Sequence, residues 1–142
     1  MRKKSFIFLI IVILLLFSAC GKNGGVEVIY EDDVSWESVE ERWQSYHQYS
    51  GEYVAEPIRD IDESNIVPKE QIEIEYIQIA ESLLEYWPDD TVVVHIAYLE
   101  EKAYYAVNIY SKDSDGIVIP GGYAEYVVDA MTGEEIVSWG TE

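Results

Sequence analysis

The chain reads as α+β: a helix packed on a four-stranded antiparallel sheet, with an N-terminal helical arm ahead of it. Three observations predict this. Between Pro68 and Pro88 the apolar residues recur at spacings of three and four, the period of a helix that buries one face. From Val92 onward the period changes to two, in four successive segments, as half-buried strands require. The breaks at Glu100–Lys102 and Ala130–Glu134 are short, which suits hairpins and excludes the long crossovers of a parallel sheet. With 142 residues the chain falls near the usual ~150 for one domain. Such a domain buries roughly two thirds of its unfolded surface, so it needs no disulfide or metal to hold together.

The main helix is expected within "PKEQIEIEYIQIAESLLEYWP". Pro68 stands where a first turn tolerates it, and Pro88 is the stop. Ile72, Tyr76, Ile79, Ala80, Leu83, Leu84 and Trp87 form its apolar stripe, opposite a glutamate-rich face. The strands are expected at Val92–Leu99, Ala103–Tyr110, Tyr123–Asp129 and Glu135–Trp139. Helix then sheet gives two layers. Period two places Tyr105, Val107, Ile109, Ala124, Tyr126 and Val128 against the helix, and turns Tyr104, Asn108, Tyr110 and Tyr123 outward. Tyr104, Tyr110 and Tyr123 are therefore candidates for a partner-binding face, since aromatic side chains give large contact area. Cross-strand tyrosine pairing is the structural reading of the same residues.

The segment ahead of the helix is an arm from Val26 to Val67. Val26, Val28 and Tyr30 alternate as a short strand, an acidic trio follows at Glu31, Asp32 and Asp33, and Ser35 is placed to cap a helix carrying Trp36, Val39, Trp43 and Tyr46. Gly51 is the expected end of that helix. Trp36 and Trp43 need a surface to pack on, and covering the outer tyrosines would supply one.

The first twenty residues state an address. "MRKKSFIFLIIVILLLFSAC" has Arg2, Lys3 and Lys4, an apolar run from Phe6 to Phe17, then small residues, the build of an export signal. The run is shorter than the ~20 residues of a spanning helix. Its end, "LFSAC", resembles the lipobox of bacterial lipoproteins, with Phe17 where Leu is usual. The resemblance implies cleavage before Cys20, a diacylglyceryl thioether on its sulfur and an amide-linked acyl chain. Two or more chains anchor stably where one is marginal, at ~0.8 kcal/mol per methylene. The division is then signal peptide 1–19, flexible tether 20–25, arm 26–67 and an α+β domain 68–142. As the chain's single cysteine, Cys20 forms no intrachain disulfide.

Charge narrows the partners. Removing Arg2, Lys3 and Lys4 leaves six basic residues against 28 acidic ones, a net of −22. Nucleic acid binding is excluded, because it needs a basic surface to displace counterions. An anionic membrane would repel the domain, so the membrane is met through the lipid anchor. A protein partner, if charge selects it, is basic.

In "YVVDAMTGEEIVSW", Asp129, Thr132 and Gly133 read as a corner between two strands. Gly133 supplies a positive φ without steric cost, and Asp129 and Thr132 can accept from backbone N–H groups two residues on. "YVVDAMTGEEI" resembles the closing hairpin of the PepSY domain, and "IAESLLEYW", "VVVHIAYLEE" and "AYYAVNIYS" follow that family's order of helix, strand, strand. The resemblance spans Pro68 to Trp139. It implies a non-catalytic, membrane-anchored extracytoplasmic module that binds or regulates a partner such as a peptidase. The long loop "SKDSDGIVIPGG" and the arm 26–67 depart from it. The helix-then-strands order, with "GG" entering the penultimate strand, is also similar to cystatin-like immunity proteins, which implies inhibition of a toxin as the alternative.

Catalysis finds little support. A small hydrolase is the third reading, but the imidazoles are only His47, late on the first helix, and His95, which reads as a hydrogen-bonded core histidine. No H-E-x-x-H, phosphate loop or G-x-S-x-G occurs. "SKDSDG" fails as a calcium loop because Gly122 stands where a bidentate Glu is required. No catalytic residue, metal ligand or cofactor is expected.

Overall fold

The protein is described from a computed structural model over residues 24–46 and 60–140. The expected signal, Cys20, most of the tether, His47 and Gly51 lie outside the described residues. Five strands form one mixed sheet in the order β1-β2-β3-β4-β5, with β1 at Gly25–Glu31, β2 at Thr91–Leu99, β3 at Tyr104–Lys112, β4 at Val118–Asp129 and β5 at Glu135–Gly140. Helix α1 spans Trp36–Tyr46 and α2 spans Lys69–Leu84. The α+β class holds, but a four-stranded antiparallel sheet does not. β1 joins the edge in parallel with β2, matching Gly25 to Thr91 and Glu31 to Ala97. A parallel neighbour is reached only through a long crossover, here everything from α1 through α2, so no local turn signal announces it.

The helices take opposite faces of the sheet. α2 buries Ile72, Tyr76 and Ala80 against Val92, Val94, Ile96, Tyr105, Val107, Ile109 and Val128, with Val26 and Val28 of β1 completing that layer. Tyr105 also donates its hydroxyl to the Val67 carbonyl at 2.7 Å, which fixes the approach to α2. Tyr76 meets Tyr126 with ring centroids 4.9 Å apart. At the helix's far end the stripe stops short: Trp87 lies beyond α2 and is 46% exposed.

On the other face α1 lays Val39 and Trp43 over Ala97, Leu99, Tyr104, Ala106, Val127 and Trp139. Three layers replace the expected two, and the described parts of the arm, β1 and α1, belong to the core. Ser35 caps α1, its Oγ accepting from the Ser38 amide at 3.3 Å, and Glu101 Oε1 accepts from the Trp36 amide at 2.7 Å. A carboxylate at that end complements the helix dipole.

The long loop is also shorter than expected. β4 begins at Val118, so "SKDSDG" closes a hairpin in which Asp113 Oδ1 accepts from the amides of Asp115 and Ile117, both at 2.9 Å. Gly116 takes a φ of 80° there. Pro120 is tolerated because β5 pairs only with Ala124–Val128, leaving the proline on an edge where no ladder donor is needed.

Candidate functional site: a polar row under helix α1 and an acidic cleft beside it

The register sets one row of side chains across all five strands: Ile29, His95, Asn108, Glu125 and Trp139. Period two turns the whole row toward the α1 face. Three polar residues in the middle of a sheet must be satisfied there, since a buried polar group without a partner costs roughly 1–3 kcal/mol.

Glu125 has no exposed surface. A carboxylate so placed requires a cation and further donors. Arg42 supplies the cation from α1, one turn from Val39 and beside Trp43, with Nε 3.0 Å from Oε2 and Nη2 2.8 Å from Oε1. Tyr123, two residues before Glu125 on the same strand face, donates its hydroxyl to Oε2. The bond to Glu125 holds the Arg42 pKa above its ordinary value. Burial first, and then the bond to Glu125, pushes the Tyr123 phenol well above its ordinary range. A shallow recess of about 410 Å³ opens beside them, lined by Glu41, Arg42, Ser45, Tyr123 and Trp139.

His95 is not a core residue. It sits half-buried on this face, with Nδ1 3.3 Å from Glu31 Oε2 and Nε2 3.1 Å from Tyr110 Oη. Donation from Nδ1–H to Glu31 and acceptance at Nε2 from Tyr110 satisfy both ring nitrogens. Asn108 lies between His95 and Glu125, and its buried Oδ1 has no partner among the described residues.

The three tyrosines proposed as a partner face therefore have different fates. Tyr104 is 2% exposed, beneath Trp36 in an edge-to-face contact with centroids 5.5 Å apart. Its place on a binding surface is corrected: two tryptophans on an amphipathic helix needed a sheet face, and α1 took this one. Tyr110 is engaged with His95 and Tyr123 with Glu125. The structure brings these two together in one cross-strand pair, but it leaves Tyr104 apart from them.

Asp129, Thr132 and Gly133 form a turn. Asp129 Oδ1 accepts from the amides of Met131 at 2.8 Å and Thr132 at 3.3 Å. Thr132 Oγ1 accepts from the Glu134 amide at 3.2 Å. The Gly133 amide donates to the Asp129 carbonyl at 2.8 Å, with φ at 76°.

A second feature lies where the β1–α1 connection meets the β2–β3 turn. Asp32, Asp33, Glu100 and Glu101 line a cleft of about 680 Å³, floored by Val34, Tyr98 and Leu99. The parallel register, by setting Glu31 against Ala97, carries the acidic trio to this end of β2. Sequence reading saw Asp32, Asp33, Glu100 and Glu101 as two separate polar breaks; only the unforeseen β1–β2 pairing joins them. Among the described residues no group of His, Cys, Asp and Glu has the arrangement to hold a metal ion. Four carboxylates on one cleft can pair with ammonium or guanidinium groups.

Compared with known proteins, the chain matches no family model, no curated protein and no solved structure. The fold and these two sites define it as a three-layer α+β domain with an internally paired polar sheet face and an acidic cleft. Among the described residues no helix is long and apolar enough to cross a membrane.

Proposed function

We propose that the protein is a non-catalytic, extracytoplasmic lipoprotein, anchored through acylated Cys20, that binds and regulates a basic protein partner. The observation that carries the reading is "LFSAC" at the end of a charged and apolar leader, with only three residues between Cys20 and Gly24, where the described fold starts. The PepSY-like hairpin supports a peptidase as the regulated partner. The acidic cleft at Asp32, Asp33, Glu100 and Glu101 supports basic character in whatever docks, and a mature charge of −22 would speed the encounter. Inhibition of a basic toxin uses the same cleft and is the second reading. A hydrolase is not favoured, because the Glu125 carboxylate and the His95 imidazole are engaged by Arg42, Tyr123, Glu31 and Tyr110.

The test is differential capture from the membrane side. Lipidated wild type is compared with an Asp32→Lys, Glu100→Lys variant, which reverses charge in the cleft without touching the Glu101 cap. A partner retained by wild type at low salt and lost by the variant supports the reading. Equal retention by both places recognition elsewhere and contradicts a role for the cleft.

A further inference from the structure

We propose that the end of the domain built by the α2–β2 loop and the β3–β4 hairpin tip is a membrane-seating surface that enters the interfacial zone of the bilayer. This inference rests on the lipid-anchor reading of Cys20. Its geometry starts at Gly24, whose amide donates to the Pro88 carbonyl at 2.8 Å. Gly24 lies so close to the loop that an added Cβ would be 1.8 Å from the Asp90 carbonyl oxygen. The chain is thus held against the α2–β2 loop before β1 begins. Cys20 is four residues upstream, which at ~3.3–3.6 Å per extended residue puts it within about 14 Å.

The same loop carries Tyr86 and Trp87, 76% and 46% exposed, with ring centroids 6.3 Å apart. The row Gly25, Thr91, Lys112, Val118 crosses β1 to β4 at this end of the sheet. At the β3–β4 hairpin Ile117 and Val118 are 64% and 51% exposed. Four large exposed apolar side chains therefore lie at the end of the sheet where the tether leaves the fold. Tyrosine and tryptophan, apolar in body and polar at the tip, are the residues favoured at the membrane–water boundary. Aliphatic residues beside them add buried area to the seat. Glu85, Asp89, Asp90, Asp113 and Asp115 lie near this end, so the seat is held by apolar contact and not by attraction to anionic lipid. Its consequence is orientation: the acidic cleft, at the opposite end of β2, is held away from the bilayer and open to a partner.

The experiment uses the lipidated full chain in phosphatidylcholine vesicles whose acyl chains are brominated near the headgroup. Trp36 packs on Tyr104 at the opposite end of β3 from Lys112, and Trp43 and Trp139 are 9% and 6% exposed, so Trp87 is the indole in reach of the quencher. Wild-type emission should be quenched, with most of that quenching lost in Trp87→Phe and in Ile117→Asp, Val118→Asp. Equal quenching in wild type and Trp87→Phe would overturn the seating surface while leaving the anchor intact. Vesicle binding and quenching that persist in a Cys20→Ser chain freed of residues 1–19 would overturn the anchor while leaving the surface. A wild-type chain that fails to float with vesicles would overturn both.

Discussion

The guanidinium of Arg42 and the carboxylate of Glu125 meet at two points, 2.8 and 3.0 Å, across 83 positions of sequence. This pair ties α1 to the centre of β4. Removing the arginine leaves a carboxylate with no exposed surface and, among the described residues, Tyr123 to bond it. Loss of one partner of a fully buried pair costs roughly 3–5 kcal/mol. The Arg42 side chain is 40% exposed, so water can enter its place, and Arg42→Ala should cost about 2–3 kcal/mol. Arg42→Lys should fall between, keeping the charge but not the two-pronged geometry. Urea titration measures both, and an Arg42→Ala midpoint equal to wild type would contradict the pairing.

Alkali should unfold the domain early. Burial holds the phenols of Tyr76 and Tyr123 protonated well above their ordinary range, aided by Glu135 at Tyr76 and by the Glu125 bond at Tyr123. In the unfolded chain these groups release their protons near pH ~10. Above that pH the folded state binds more protons than the unfolded one, so stability is full below it and falls as pH rises. Tyr123→Phe should start lower but decline less steeply between pH 9 and 12 (about the range over which phenols titrate). Parallel curves for the two proteins would show that Tyr123 ionises freely.

At the closing corner, Gly133→Val should destabilise by about 1 kcal/mol or more, because a β-branched residue adopts a positive φ poorly. Crowding is not the obstacle: an added Cβ would meet Ile72 and Val67 only at 3.9 Å. Asp129→Ala should also lower the melting temperature, through the amides of Met131 and Thr132, without changing partner capture. Loss of capture at unchanged stability would mean that the corner contacts a ligand.

Much of this was legible in the sequence, and the rest failed for specific reasons. Ile72, Tyr76 and Ala80 announced α2 by spacing, and Tyr105, Val107 and Ile109 announced their face by alternation. The second buried face also leaves a signal: "TVVVHIAYL" and "AYYAV" are nearly continuous apolar runs, and Val92, Val93 and Val94 are all fully buried. Such runs mark a sheet covered on both sides. They agree with the expectation that Trp36 and Trp43 cover the outer tyrosines, which holds at Tyr104. Glu125, a lone charge within "YAEYVV", likewise called for a buried partner, but nothing local could choose Arg42 from the six basic residues after Cys20. β1 was visible as a strand and invisible as a neighbour of β2, because parallel pairing across two helices leaves no turn to read.

The account rests on Cys20, and intact-mass analysis of the N-terminal peptide from the membrane fraction tests it most directly. The predicted peptide begins at Cys20, with the mass of a diacylglyceryl thioether and an amide-linked acyl chain, and disappears in Cys20→Ser. A free, unmodified Cys20 thiol within a peptide still preceded by Ser18 and Ala19 would contradict the anchor and, with it, the extracytoplasmic role built on it.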